Sequence, residues 1–400
     1  MKNIAIISYG GLPMPPVMGG AVENLTHFWI EENETDKRVK LTVFSSYHTD
    51  AQLEAEKYAN TTFIYVKTRK IFDFVTKWTN RIFRRLKLPL MFQCYPYVVE
   101  ITKQLKKGEY NCIIVENRPE FVPYLRKNMS IPIILHMHND YFNSNFFGAR
   151  KILEGCEKVI AVSEYVKNCI LTIDKNAKNV CILQNVINTK QFSNVTSITR
   201  EKLRKQYGIK EGDVVFGYVG RIIPGKGVKE LVQAFVQINQ KFDHVKLLVI
   251  GSGWFGQNNK TGYIEELRRM TEGLNEKVIF SGYVDYHSIA EQYACADVVV
   301  VPSIMGEACG LVALEAMASG KALIVSDSGG IWEHVNSECA IRVMRCDGFV
   351  DRLAIAMETL AINKDQIYRM GQKGSEHSAQ YDNKMYLQKL LEIVDGVCEN

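Results

Sequence analysis

The chain of 400 residues contains no run approaching about 18 uninterrupted apolar residues, so nothing in it is expected to span a membrane. Its first apolar stretch, Ile4 to Ile7, meets glycines at once and is too short for the core of a secretory signal. The ten cysteines, at 94, 112, 156, 169, 181, 295, 309, 339, 346 and 398, include no C-x-x-C and no regular spacing, which argues against a disulfide framework. Several lie in apolar runs, Cys112 in NCIIVEN and Cys181 in NVCILQN, where a free thiol serves as a small core hydrophobe of a reducing, cytoplasmic chain. No two of the fifteen aspartates stand two residues apart, so there is no D-x-D. H-E-x-x-H, G-x-S-x-G and Cys/His metal spacings are missing as well. Metal-dependent transfer and serine hydrolysis therefore have no support in the sequence. With only ten prolines against 28 glycines, collagen-like and Pro-rich disordered chains are excluded too.

What is present is an ordinary globular balance, 46% hydrophobic and 23% charged, with a net charge of +5. That charge is lopsided. Residues 1–190 carry 26 basic and 18 acidic side chains, and the remainder carries 23 and 26. The positive field of the first half points to anionic ligands or an anionic surface.

Short β-branched runs alternate with longer amphipathic segments from end to end. The first half reads KNIAIIS, KLTVFSS, TTFIYV, NCIIVEN, IPIILHMH, KVIAVS and NVCILQN; the second reads DVVFGYVG, VKLLVIG, KVIFSGYV, DVVVVPS and KALIVSD. Continuous rather than alternating apolar strands imply burial on both faces, hence parallel sheets flanked by helices. There are too many strands for one sheet, so two doubly wound α/β domains are expected, 1–188 and 189–376. A last helix, 377–400, is expected to pack back on the first domain.

Four strand ends carry candidate chemistry. After the first strand comes LPMPPVMGGAVEN, where Gly19 and Gly20 open a helix whose N–H groups could meet an anion, or form a plain turn. After VVFGYV, the run from Gly220 to Gly227 has the spacing G-x-x-x-x-G-K, but Gly227 lacks the hydroxyl that a magnesium-holding phosphate loop needs. Arg221 and Lys226 remain, suited to a diphosphate without metal or simply solvated on a turn. After VKLLVI, the glycines at 251, 253 and 256 have dinucleotide spacing, but QNNKTG separates them from the next helical segment, which weakens a NAD reading. The fourth is the segment PSIMGEACGLVALEAM, in which Glu307 and Glu315 flank a helix start at Gly310. Glu315 lies in the apolar helix LVALEAMA, where an unpaired charge is costly. It needs hydrogen-bond donors, either ligand hydroxyls or an internal Arg or Lys.

Together these pieces resemble the retaining GT-B glycosyltransferases of family four. The donor-domain match runs from Val219 to Val335: VGRIIPGKGVKELVQAF, LLVIGSG, VIFSGYV, DVVVVPS, E-x7-E at Glu307 and Glu315, EAMASG and SDSGGIWEHV. The first half matches more thinly, through Gly19, Gly20 and Glu23, His138 after IPIILHM, and KVIAVSE. The resemblance implies two Rossmann-like domains facing a central cleft, a nucleotide-sugar donor held mainly by the second, and neither metal nor cofactor. Carried over by position, Arg221 and Lys226 bind the diphosphate and stabilise the leaving group, with backbone N–H groups at Gly310, Leu311 and Val312 sharing that load. Glu315 holds the ribose, Glu307 the transferred sugar, and main-chain groups around Tyr283 read the base. Gly19, Gly20, Gly251 and Cys309 complete the donor set. His138 is expected near the reacting centre, with His136, two residues earlier, as a satisfied core imidazole. Two departures stand out: Ala308-Cys309 replaces the family's aromatic after Glu307, and Asn185-Val186-Ile187-Asn188 replaces its interdomain Asn-Gly-Val-Asp.

Much of the excess positive charge falls in residues 67–87. At about 100° per residue, Lys70, Lys77, Arg81, Arg84 and Arg85 share one face, opposite an apolar face that includes Trp78. Lys77, Trp78, Arg81, Arg84 and Arg85 are thus candidates for an anionic membrane surface or acceptor, the alternative being a surface helix packed on its own domain. No nucleic-acid module accompanies the patch. The expected function is transfer of a sugar, from UDP before GDP or dTDP, to a saccharide or lipid-linked saccharide at the inner membrane face. The alternatives are a nucleotide-sugar epimerase or hydrolase of the same fold, a non-catalytic donor-binding subunit and, more distantly, an NAD-dependent oxidoreductase.

Overall fold

The computed structural model describes residues 1–67, 95–253 and 262–399. The chain divides into two compact units, residues 1–185 with 383–400, and residues 186–382.

The first unit is built on seven strands: β1 (Asn3–Ile7), β2 (Lys40–Ser46), β3 (Thr61–Val66), β4 (Cys112–Glu116), β5 (Ile133–Met137), β6 (Lys158–Ala161) and β7 (Val180–Ile182). They pair in the order β3-β2-β1-β4-β5-β6-β7, every pair parallel. The second unit has six: β8 (Val214–Val219), β9 (Val245–Ile250), β10 (Val278–Gly282), β11 (Val298–Val301), β12 (Ala322–Ser326) and β13 (Ala340–Val343). Their order is β10-β9-β8-β11-β12-β13, again all parallel. Central strands such as β4, β9 and β12 are buried at every position, as continuous Val/Ile/Leu runs require when helices cover both faces. The two-domain doubly wound expectation is met.

Twelve of these strands coincide with apolar runs in the sequence. The thirteenth, β13, reads Ala-Ile-Arg-Val and is buried only at its two ends. It is an edge strand that alternates, so the search for unbroken apolar runs passes over it.

Helices close the sheets by presenting one apolar stripe. In Val228–Asn239, residues Val228, Leu231, Val232, Phe235 and Ile238 recur at helical spacing and are fully buried against the second sheet's core. The helix Asn383–Cys398 crosses back in sequence to the first unit, where it packs on the helix Ala21–Asp36 and Lys2 meets Asp395 at 2.6 Å.

Strand order decides where ligands bind. In both sheets the direction of winding reverses between the first and fourth strands, β1/β4 and β8/β11. Open α/β sheets bind ligands beyond the carboxyl ends of the strands at that reversal. Among the described residues, no helix is long and apolar enough to cross a membrane.

Two helical glycines test the packing in opposite directions. A Cβ on Gly371 would stand 2.2 Å from the Gly320 carbonyl oxygen, whereas one on Gly396 meets nothing within 4 Å. Gly396→Ala is expected to raise stability by up to about 1 kcal/mol, and Gly371→Ala to lower it by about 1–3 kcal/mol. Urea unfolding of the two variants checks this; a gain at Gly371 would contradict the packing described.

Candidate active site

At the β8/β11 reversal two loops are stitched together. The chain leaves β8 at Gly220, forms a tight turn at Pro224–Lys226, and starts the next helix from Gly227. Gly227 has φ +71°, and a Cβ there would lie 1.9 Å from the Pro302 carbonyl oxygen. This close approach explains why glycine occupies the place where a phosphate loop of the magnesium type carries Ser or Thr. From the other side, Ile304 and Met305 both donate their backbone N–H to the Gly225 carbonyl, at 3.1 and 3.0 Å. The Lys226 ammonium meets Glu307 Oε1 at 2.5 Å, and the Ser303 hydroxyl donates to that same oxygen.

Glu307 is anchored through its backbone as well. Its carbonyl accepts from the Gly330 N–H at 2.7 Å, and Gly329, at φ +54°, could not carry a Cβ, which would fall 2.2 Å from that carbonyl. Three residues on, Gly310 takes the left-handed conformation and caps the helix Leu311–Ala318. Glycine supplies no side-chain acceptor, so this helix start keeps its N–H groups for other partners. Cys309 is buried, while Gly310, Leu311 and Val312 are half-buried.

Glu315 stands in the second turn of that helix, 7% exposed. Its donors are neither Arg nor Lys. Tyr293 donates to Oε2 at 2.6 Å and Tyr286 to Oε1 at 3.4 Å. Burial pushes the carboxyl up to about 7 against these two hydrogen bonds. Tyr283 is half-buried just past β10. Gly251, at φ +134°, sits where a Cβ would be 1.9 Å from the Gly220 carbonyl, so the ends of β8 and β9 meet backbone to backbone. Arg221 is half-buried and its carbonyl accepts from the Tyr218 hydroxyl at 2.7 Å. The structure therefore gathers Arg221, Lys226, Gly251, Tyr283, Glu307, Cys309, Gly310, Leu311, Val312 and Glu315 in one unit, on the loops at the carboxyl ends of its strands and on the helix Leu311–Ala318 that follows one of them.

The β1/β4 reversal of the first unit has a different character. Gly19 and Gly20, at φ +72° and +119°, lead into the helix Ala21–Asp36. A Cβ on Gly20 would lie 2.3 Å from Glu23 Oε2, because the Glu23 side chain folds back over the helix start. Burial pushes Glu23 up to about 7, with Glu116 adding to the effect. Glu116 ends β4 and is paired in register with His136 on β5. Its Oε2 lies 3.0 Å from His136 Nδ1 and 2.8 Å from His138 Nε2. The two imidazoles are not divided between core and surface as expected. Residues two apart on a strand share a face, and their ring centroids stand 4.0 Å apart. His136 is not satisfied either, since its Nε2 has no hydrogen-bond partner among the described residues. Glu116, His136 and His138 are also the three described side chains whose geometry could hold a metal ion.

Sequence reasoning missed Glu116, Ser303, Tyr286 and Tyr293. The signal for Glu116 was available: a carboxylate ending a buried strand raises the same question of partners as Glu315 in its apolar helix. Lys77, Trp78, Arg81, Arg84 and Arg85 lie outside the described residues, as do Trp254 to Gly256 of the glycine-rich run.

The raised carboxyls have a pH consequence. An unfolded chain releases these protons near 4.5, the folded one near 7, so each such group contributes stability that is full below pH 4.5 and lost by pH 7. Glu315→Gln is expected to flatten the fall in stability between pH 5 and 7 and to be more stable than the parent at pH 8, by up to about 3 kcal/mol. Urea unfolding at pH 5 and 8 measures it; an unchanged slope would contradict the burial assigned to Glu315.

Residues 199–376 match the family model described as glycosyl transferases group 1. The chain is 25% identical over 339 residues to spore coat protein SA of Bacillus subtilis, covering 82% of this chain and 81% of that one. It is 30% identical over 257 residues to a GDP-mannose-dependent alpha-(1-6)-phosphatidylinositol monomannoside mannosyltransferase of Mycobacterium tuberculosis, covering 62% of this chain and 64% of the relative. In structure it is similar to Anabaena HepE, crystallised with UDP and glucose: TM-score 0.75, 19% identity, 99% of this chain and 100% of that one. Residues 199–376 are thus a glycosyl transferases group 1 domain, in a chain that has the GT-B fold and whose relatives in sequence are named glycosyltransferases.

Proposed function

We propose that the chain transfers a sugar from a UDP-sugar to a saccharide or lipid-linked saccharide, with retention of anomeric configuration and without a metal ion, in polysaccharide or glycolipid assembly. The observation that carries this reading is the meeting of Lys226, Glu307 and the glycine-capped helix start at Gly310 on two stitched loops. A diphosphate placed on the free N–H groups at Leu311 and Val312 gains the field of the helix, and the Lys226 and Arg221 cations add to it. The pair Lys226–Glu307 also ties the cation to the residue that contacts the transferred sugar, so phosphate and sugar are held in one register.

In the reaction the bond from the anomeric carbon to the phosphate oxygen breaks, and its electron pair stays on the diphosphate. The acceptor hydroxyl forms the new bond on the same face of the sugar and passes its proton to a leaving phosphate oxygen. Stabilising the departing charge is the main work, which Lys226, Arg221 and the helix start perform. Glu315 holds the ribose, and main-chain groups around Tyr283 meet the base. UDP is the first nucleotide to test because the Anabaena neighbour holds UDP, whereas the Mycobacterium relative is named for GDP-mannose. Membrane contact by Lys77, Trp78, Arg81, Arg84 and Arg85 is part of the proposal. Arg81, Arg84 and Arg85 changed together to Gln are expected to lower binding to anionic liposomes.

Thermal shift against UDP-, GDP-, dTDP- and NAD-compounds, without added metal, tests the donor. Stabilisation by a UDP-sugar is expected, with retained configuration in the product formed from it. Stabilisation by NAD alone, or an inverted product, would overturn the reading. Lys226→Ala and Glu307→Gln are expected to lower turnover by roughly 10²–10³-fold with the melting temperature held within a few degrees.

A further inference from the structure

The Glu116–His136–His138 cluster has work to do beyond packing. Glu116 is 1% exposed, and both histidines are buried beside it. Among the described residues no Arg or Lys neutralises the carboxylate; its hydrogen-bond partners there are the two imidazoles, both on Oε2. The second oxygen, Oε1, has no partner among the described residues. Burial pushes the Glu116 carboxyl up, but His136 and then His138 overcome it and hold the group down to about 2. Burial, with His136 next, keeps His138 down to about 4 despite the Glu116 hydrogen bond. The arrangement is one carboxylate oxygen accepting an N–H bond from each of two rings.

The backbone holds His138 in place from the other side. Its N–H donates to Asn117 Oδ1 at 3.0 Å, while the Asn117 N–H donates to the His136 carbonyl at 2.7 Å. Asn117 has φ +54°, a left-handed conformation uncommon outside glycine, and its carbonyl accepts from the Tyr141 hydroxyl at 2.5 Å. The ends of β4 and β5 are thus locked together around the ring. His138 Nδ1, by contrast, has no described partner within the protein.

We propose that Glu116 is a positioning residue: by accepting from Nε2 it fixes His138 as the Nε2-protonated tautomer, leaving the Nδ1 lone pair to accept a hydrogen bond from a hydroxyl of the sugar. Which ring nitrogen of a histidine carries the proton is set by the hydrogen bond its other nitrogen makes. Here that choice is made by a carboxylate whose described partners are the two imidazoles. The proposal rests on the expectation that His138 lies near the reacting centre, and it adds how a contact with the sugar would be prepared. His136 takes the second N–H bond to the same oxygen, which keeps the carboxylate from rotating away.

Long-range proton–nitrogen correlation on the chain labelled with 15N-histidine reads the tautomer directly, with His138→Gln assigning the signal among the eight histidines. His138 protonated at Nε2 supports the proposal; protonation at Nδ1 overturns it, and this holds even if no Glu116 variant folds. In kinetics, followed as UDP release from UDP-glucose, Glu116→Gln is expected to lower kcat by roughly 10²-fold with KM unchanged within about twofold. Glu116→Asp should recover part of that loss. The double variant with His138→Gln should be no worse than His138→Gln alone. Wild-type kcat in Glu116→Gln beside an inactive His138→Gln would remove the positioning role alone. Wild-type kcat in His138→Gln would remove the sugar contact and the proposal with it. One equivalent of tightly bound zinc in the purified chain would also overturn it, because a metal on these three atoms replaces both N–H bonds.

Discussion

The strand-end loops of the second unit depend on one ion pair and the steric fit that surrounds it. Lys226 and Glu307 meet at 2.5 Å although 81 residues separate them, because β8 and β11 are neighbours where the sheet reverses. Around them, Gly227 lets the Pro302 carbonyl come within reach, Gly225 accepts two N–H bonds, and Gly329 makes room for the Glu307 carbonyl. If any of these approaches opens, the cation, the carboxylate and the start of the helix Leu311–Ala318 lose their common frame. A partly exposed lysine and carboxylate contribute little stability by themselves. Their value is in placing charge where a diphosphate would sit.

The two units share the same winding but load their reversal points differently. In the second unit that edge carries cations and a helix start with no side-chain cap, which suits a polyanion. In the first it carries Glu23, Glu116, His136 and His138, two carboxyls and two imidazoles under a glycine turn. The same topology therefore presents one edge whose chemistry suits a phosphate and another whose chemistry suits hydroxyls. The net charge by halves runs opposite to this, since the first half is the more basic. Ligand chemistry follows the few side chains at strand ends, and the bulk charge lies elsewhere, much of it in residues 67–87.

Much of the fold was legible because buried parallel strands leave unbroken apolar runs, from Ile4–Ile7 through Ala322–Val325. The edge strand Ala340–Val343 was not, because Arg342 and Ile341 stand partly in solvent and break the run. At the site, the helix start at Gly310 and the buried Glu315 could be read from local pattern, since both are consequences of a few adjacent residues. The partners of Glu315 could not: Tyr286 and Tyr293 come from another helix segment, and aromatic residues in an apolar stretch look like core. Nor could the Lys226–Glu307 contact or the carboxylate shared by His136 and His138, which exist only through strand pairing. His136 and His138 were separable in the sequence only by assuming a helix on one side, an assumption that strand periodicity already contradicts.

The central claim is that the nucleotide sits on the loops after β8 and β11 with its phosphates at the helix start. A crystal structure of the chain with UDP tests this most directly. The diphosphate is expected on the backbone N–H groups of Gly310 to Val312 beside Lys226 and Arg221, with the ribose on Glu315. A nucleotide bound at the β1/β4 edge of the first unit, or phosphates out of reach of Lys226 and the helix start, would contradict the account.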